Sequence, residues 1–414
     1  MKKKLCYSAA LVSVILIVVA AAFPQPTLSE AQARETVARV LRNSPIIDGH
    51  NDLFAWYHGC TYKKLPKCPQ DISDYPIDKL QKGHTDIPRW RKGGVGGVLL
   101  NIYGETLSNF LGAYDLLHRL ERHYSNDLKI VGSSSEMRRA IQAGKIALLP
   151  MLEGSDRLEG KPALLRTFYK LGLRTVTFTY SSGELGDGSD DLSRNHGVSP
   201  LGKVMIKEMN DLGIIIDVSH ASTKTMNDVL DETTAPLIFS HSNARTVCDV
   251  ERNVPDSVLL KLKKNGGMIM IDMAPEHTSN VFAKWMKEGD DLYFDIKKRH
   301  PNDQKLLADT MKSWEAANPQ PRVTIAEVAD HFDHVKRVIG VDHIGISGDY
   351  DGIEFTIEGL EDVSKFPNLL FELARRGWSD AELKKITGQN FLRVFEKVER
   401  NRKAEDDEIK RQRA

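Results

Sequence analysis

Short apolar runs punctuate this chain, each followed by a stretch in which apolar residues return every three or four positions. Eight such runs stand at residues 46–52, 98–103, 146–151, 175–179, 214–218, 236–239, 268–273 and 344–348. Brief runs rich in Val, Ile and Leu predict strands buried on both faces, and the 3.6-residue period between them predicts amphipathic helices. Helices are expected at 28–41, 106–125, 135–143, 162–171, 201–212, 222–230, 256–264, 325–338, 366–376 and 380–397. Strands alternating with helices make parallel βαβ units, and eight of them make a (β/α)8 TIM barrel. A doubly wound open sheet is the alternative, but no Gly-x-Gly-x-x-Gly follows the first run to support it. Gly93-Gly94 and Gly96-Gly97 punctuate the entry to the second run.

Three segments interrupt the alternation. Residues 57–91 are rich in Pro, Lys, Asp and Gly and carry Cys60 and Cys68, near enough in sequence to clip a short loop in an oxidising compartment. Residues 183–197 form a polar, glycine-rich loop, and about 276–321 reads as a long polar insertion. The N-terminus differs again. Lys2-Lys3-Lys4 precede an apolar run at 11–23 that holds Ala20-Ala21-Ala22, the pattern of a secretory signal cleaved near Ala22. An uncleaved membrane anchor is the alternative. The expected organisation is a signal at 1–22, a helical lead-in at 23–45, a barrel at 46–400 and a charged tail at 401–414. That tail lacks the apolar stretch of a GPI signal, so no GPI anchor is expected and the mature protein belongs in the periplasm or outside the cell. Cys248 has no obvious partner and reads as a buried free thiol.

Composition excludes one class of function. A hydrophobic content of 41% with 28% charged residues is that of a soluble globular protein. The 57 basic and 57 acidic residues cancel, leaving no field that would favour nucleic acid.

The chemistry gathers where the runs end. Barrel active sites form at the C-terminal ends of strands. There stand His50 and Asp52 on the first run, Glu153 after the third and Tyr180 after the fourth. His220 follows the fifth, His241 the sixth and Asp349 the eighth. Imidazoles and carboxylates are costly to bury without a partner, and a metal is the simplest partner they share. His331 and His334, by contrast, sit in a pattern with Val328, Phe332 and Val335 that reads as an ordinary amphipathic helix. The natural division of the rim residues is two metals with Glu153 bridging, since a carboxylate has two oxygens. Such a pair holds a hydroxide and polarises a carbonyl, leaving Asp349 free to shuttle a proton.

These residues resemble the membrane (renal-type) dipeptidases, dinuclear zinc enzymes of the amidohydrolase-like barrels. The matching stretches are Asp48-Gly49-His50-Asn51-Asp52, Leu152-Glu153-Gly154, Ile216-Asp217-Val218-Ser219-His220-Ala221-Ser222, Phe239-Ser240-His241-Ser242 and Gly348-Asp349-Tyr350-Asp351-Gly352. Arg252-Asn253-Val254-Pro255-Asp256 and Glu358-Gly359-Leu360-Glu361-Asp362-Val363 match as well. The resemblance implies two Zn2+ per chain, one held by His50, Asp52 and Glu153, the other by Glu153, His220 and His241. It further implies that Asp349 handles the proton of a metal-bridging hydroxide and that Arg252 pairs with the terminal carboxylate of a dipeptide. Tolerance for a C-terminal D-residue and a homodimer are implied too. Three features depart from the family pattern. Tyr180 replaces its usual substrate-binding His, Glu153-Gly154-Ser155-Asp156 replaces Glu-Gly-Gly-His, and the insertion is much longer than in the animal enzymes.

The reading that follows is an exported zinc dipeptidase. A lactonase or deaminase barrel is disfavoured, because those often carry His-x-His on the first strand and a bridging lysine on the fourth. The alternative is a member whose activity Tyr180 has altered or abolished, acting on another amide or as a metal-containing binding protein.

Overall fold

Among the described residues, nine strands form where eight are expected. They are β1 (Ile46–Asn51), β2 (Val95–Asn101), β3 (Leu128–Ile130), β4 (Ile146–Leu152), β5 (Thr175–Thr177), β6 (Ile215–Asp217), β7 (Ile238–Phe239), β8 (Met268–Ile271) and β9 (Ile344–Ile346). This computed structural model describes residues 28–58, 69, 71–102, 106–191 and 193–403. The signal at 1–22, the Cys60–Cys68 pair and the tail beyond 403 lie outside the described residues.

Every strand pairs in parallel, and the ring closes where β1 meets β2 on one side and β9 on the other. Because β2 pairs directly with β4, eight strands make the barrel, and β3 lies outside the ring along the first half of β4. β1, β2 and β4 are buried along their whole lengths, as strands covered on both faces must be. Adjacent positions fall into different apolar clusters. Ile47, Leu99 and Leu149 belong to one, Ile46, Val98 and Leu148 to the other, as the two-residue period of a strand requires.

The chain enters through α1 (Glu30–Asn43), started by a capping box in which Ser29 and Gln32 exchange hydrogen bonds. Its buried stripe of Ala33, Val37 and Val40 fixes the lead-in to the barrel. The Ile325–Ile339 helix turns His331 inward. The backbone N–H of Ala244 donates to its Nδ1, and its Nε2 bonds Thr278 O, so this is a core histidine. His334 pairs with Asp256.

Two expectations need correction. β2 begins at Val95, so Gly96 and Gly97 lie within the strand rather than before it. The reason is close packing: a methyl on Gly96 would stand 2.7 Å from Pro45 Cβ. The insertion, expected as a polar excursion, is a helical pair, α2 (Asn280–Arg299) and α3 (Gln304–Ala317). Its polar residues face solvent while Trp285 and Trp314 meet between the helices with ring centroids 5.4 Å apart. Among the described residues, no helix is long and apolar enough to cross a membrane.

Candidate metal centre

β1 does not deliver His50 by simple alternation. From Asp48 to Asn51 it runs three steps against two on β2, from Val98 to Leu100, which makes a bulge. Bulges re-aim side chains and gather at active sites. Gly49 makes room for this one, since a methyl there would lie 2.3 Å from Ser240 O. His50 and Asp52 emerge together, with Nε2 of the one 3.1 Å from Oδ2 of the other.

Glu153, one residue past β4, is the hub. Its Oε1 lies 3.0 Å from His220 Nε2, 3.2 Å from His241 Nε2 and 3.6 Å from His50 Nε2. The two imidazoles beyond β6 and β7 face each other, Nε2 to Nε2, at 2.9 Å. Asp349, beyond β9, groups with His50 and Asp52, while Glu153 and His241 group with His50 on the other side. Five expected ligands and Asp349 therefore converge at one rim, drawn from five strands.

Two imidazole nitrogens that face each other at this distance share either a proton or a cation. The tautomer of His241 follows from its neighbours. Ser240 Oγ donates to Asp217 Oδ2 at 2.7 Å, so the 2.7 Å contact from His241 Nδ1 must carry the imidazole proton to Ser240 Oγ. That leaves the His241 Nε2 lone pair pointing at Glu153 and His220, the second-sphere arrangement a metal-bound imidazole needs. Burial, with Arg252 next for His220 and His50 next for His241, holds both imidazoles well below their usual range and so neutral. Burial also opposes charge on His50, but Glu153 and Asp52 outweigh it and hold this imidazole well above its usual range. A donor set of imidazole nitrogens and carboxylate oxygens suits a divalent ion such as zinc, which would take the place of the proton on His50. The residues present fit the metal.

Two groups to which the sequence reading gave no role support the rim, Asn101 at the carboxylates and Asp217 at the strand ends. Asn101, the last residue of β2, donates through Nδ2 to Asp52 Oδ1 at 2.8 Å and to Glu153 Oε2 at 3.0 Å. Asp217 accepts from Thr177 Oγ1, Ser219 N, Ser240 N and Ser240 Oγ, tying the ends of β5, β6 and β7 together. Asn101 stands at a strand end like the others, and an amide on the rim was the available signal.

Backbone strain collects here too. His220 sits at φ 66°, Asp349 at 52° and Asp351 at 67°, left-handed conformations that cost about 1–3 kcal/mol each in a non-glycine residue. Ser189 N pins His220 by donating to its carbonyl at 2.7 Å. Burial, together with Asp272, Asp52 and Glu153 and against His50, pushes the Asp349 carboxyl well above the usual carboxylate range.

The rim opens into a cavity of about 140 Å³ lined by Asp52, Glu153, Arg157, Tyr180, His220, His241 and Asp349. Tyr180 is 50% exposed and leans on His220 with ring centroids 4.6 Å apart. Arg157, which the sequence reading did not single out, donates through Nη1 to Glu153 O at 3.2 Å. Arg252 does not line this cavity, although its charge acts on His220, His241 and Tyr180. It is buried, its Nη1 donates to Ser242 Oγ at 2.6 Å, and its Nε and Nη2 have no partner among the described residues.

Residues 34–408 match the family model for membrane dipeptidase, peptidase family M19. The chain is 34% identical over 380 residues to dipeptidase verJ of Clonostachys rogersoniana, a span of 87% of this chain and 86% of that relative. It is 35% identical to dipeptidase 3 of Rattus norvegicus over 387 residues, 90% of this chain and 69% of the other. Among solved structures, the probable dipeptidase PvdM from Pseudomonas aeruginosa superposes with a TM-score of 0.77 at 24% identity, covering 90% and 99% of the two chains.

Proposed function

The chain belongs to the membrane dipeptidase family, peptidase family M19, and is a metallo-dipeptidase; on that premise we propose that it cleaves free dipeptides with two zinc ions per chain. His50, Asp52, Glu153, His220 and His241 would hold them, with Glu153 shared. Bound zinc supplies Lewis acidity and brings the pKa of a water down toward neutrality. The observation that carries this reading is the convergence of three imidazole nitrogens on Glu153 Oε1, with the lone pair of His241 fixed toward it.

The protein's own groups do the rest. Arg252 has two buried donors unmet among the described residues, a cost that a substrate carboxylate relieves by accepting from the guanidinium fork. Asp349 takes the proton of the attacking water on its carboxylate and returns it to the departing amine nitrogen as the C–N bond breaks. Tyr180 donates its hydroxyl proton to the carbonyl oxygen as that oxygen gains charge. Its longer side chain narrows the pocket relative to a histidine and favours small substrate side chains. Tolerance for a C-terminal D-residue, a homodimer and export to the periplasm or beyond complete the proposal.

The test compares dipeptides, L-Ala-D-Ala among them, with dipeptide amides, in wild type and in Arg252→Ala. A bidentate charge-assisted contact is worth about 1.5–3 kcal/mol, so kcat/KM on dipeptides should fall roughly 10–100-fold in the variant. The amides, lacking the carboxylate, should change little. Equal losses on both, or no dipeptide turnover by wild type, would sink the proposal. Sedimentation and cell fractionation test the homodimer and export.

A further inference from the structure

The insertion encloses a second cavity, of about 550 Å³, between α2 and α3. Five aromatic residues line it, Trp285, Tyr293, Phe294, Trp314 and Phe355, and three of them pack together. Trp285 and Trp314 lie 5.4 Å apart at 37°, and Phe355 meets Trp285 edge-on at 5.5 Å. Gly289 lets Trp314 come close, because a methyl there would lie only 3.1 Å from the indole. Asp290, Glu315 and Glu354 line the same space, and no Lys or Arg does. Elsewhere on these helices carboxylates are neutralised, Asp291 by Lys287 and Asp309 by Lys305, yet none of the three in the cavity has an ion-pair partner among the described residues. At the edge, Lys297 Nζ already stands 5.5 Å from the centre of the Tyr293 ring.

Ring faces carry negative electrostatic potential, and three unpaired carboxylates add to it. The cavity is large enough for a small molecule and offers apolar area with a few polar groups. Anions are repelled, and a neutral apolar ligand leaves the carboxylates unanswered. We propose that this cavity binds a small organic cation, a quaternary or protonated amine carried on an apolar body. The proposal is independent of the dipeptidase reading, although the two sites adjoin. Gly352 lines the metal-site cavity, Glu354 lines this one, and two residues of chain keep their Cα atoms within about 7 Å.

Calorimetric titration of the zinc-loaded mature protein with benzyltrimethylammonium, beside the neutral N,N-dimethylbenzamide, provides the test. Saturable binding of the cation with a Kd of about 1 mM or tighter is expected, roughly tenfold or more ahead of the amide. Asp290 and Glu354 are exposed, so the double variant Asp290→Asn/Glu354→Gln should unfold at an unchanged temperature and bind the cation roughly tenfold more weakly. No saturable binding, equal affinity for the amide, or an unchanged affinity in the double variant would each overturn the proposal. So would a dimer in sedimentation that Phe294→Ala dissociates, since the occupant would then be a second copy of this chain.

Discussion

A carboxylate held at a left-handed φ has few stand-ins, and Asp349 has one. Asn tolerates that backbone nearly as well as Asp and keeps the side-chain shape, so Asp349→Asn isolates the proton. If Asp349 carries it, kcat should drop roughly 10²–10⁴-fold with metal content unchanged. Loss of metal instead would make Asp349 a ligand, the role its grouping with His50 and Asp52 also permits. At Tyr180 the question is the hydroxyl. Its removal in Tyr180→Phe should leave the metals in place and lower kcat by about 10²-fold, the usual loss of one oxyanion donor. Unchanged turnover would show that the ring only fills the rim. Sequence exposed Asp349 and the expected metal ligands because each is a metal-binding or acidic type at the end of an apolar run, and Tyr180 because it stands where a family histidine is expected. Asn101 escaped the same filter because an amide is neither, although it binds both Asp52 and Glu153.

Loops, strands and helices were legible in unequal measure, and length explains much of it. Runs of four to seven residues gave the barrel strands, but Leu128-Lys129-Ile130 has a lysine at its centre and only three residues, too few to show a period. The insertion hid its helices differently. Phe282, Trp285, Met286, Gly289, Tyr293 and Ile296 recur at helical spacing, but the charged residues between them dominate its composition. The loop after β9 supplies a test at this scale. A methyl on Gly352 would stand 2.4 Å from Asp52 Oδ2 and 2.9 Å from Asp349 Oδ1, closer than real Cβ contacts allow. Gly352→Ala should therefore push these carboxylates apart and cut kcat/KM at least roughly tenfold, one pK-sized step of free energy being about 1.4 kcal/mol. Gly112→Ala is the control. It sits exposed on the Leu107–His123 helix with His58 alone near it among the described residues, and should keep full activity while gaining up to about 1 kcal/mol of stability. Full activity in Gly352→Ala would mean the two carboxylates have slack that the packing does not show.

For the molecule as a whole, the metal is both cofactor and cross-link. The residues that would bind it come from β1, β4, β6 and β7, so metal that binds only the folded chain must stabilise all of it. At a free concentration a thousandfold above Kd that linkage is worth about 4 kcal/mol. Elemental analysis after zinc loading and desalting should return two ions per chain, and chelation should lower the unfolding temperature by several degrees. One ion per chain would remove the bridging role of Glu153, and equal unfolding temperatures would show that the metal is not coupled to the fold. The closure of the ring has a further consequence, for the order in which the protein comes into being. β1 meets β9 through Asp48 and Ile346, and Asn51 bridges to Tyr350, so the first strand waits for partners some 300 residues later, the separation of Asp48 Oδ1 from the Gly348 amide it accepts. Contacts of such separation form late. A chain emerging from the ribosome, or threading through an export channel, has nowhere to assemble His50 beside Asp349. The complete rim, with Asp349 set beside His50, is thus among the last parts of the molecule to form.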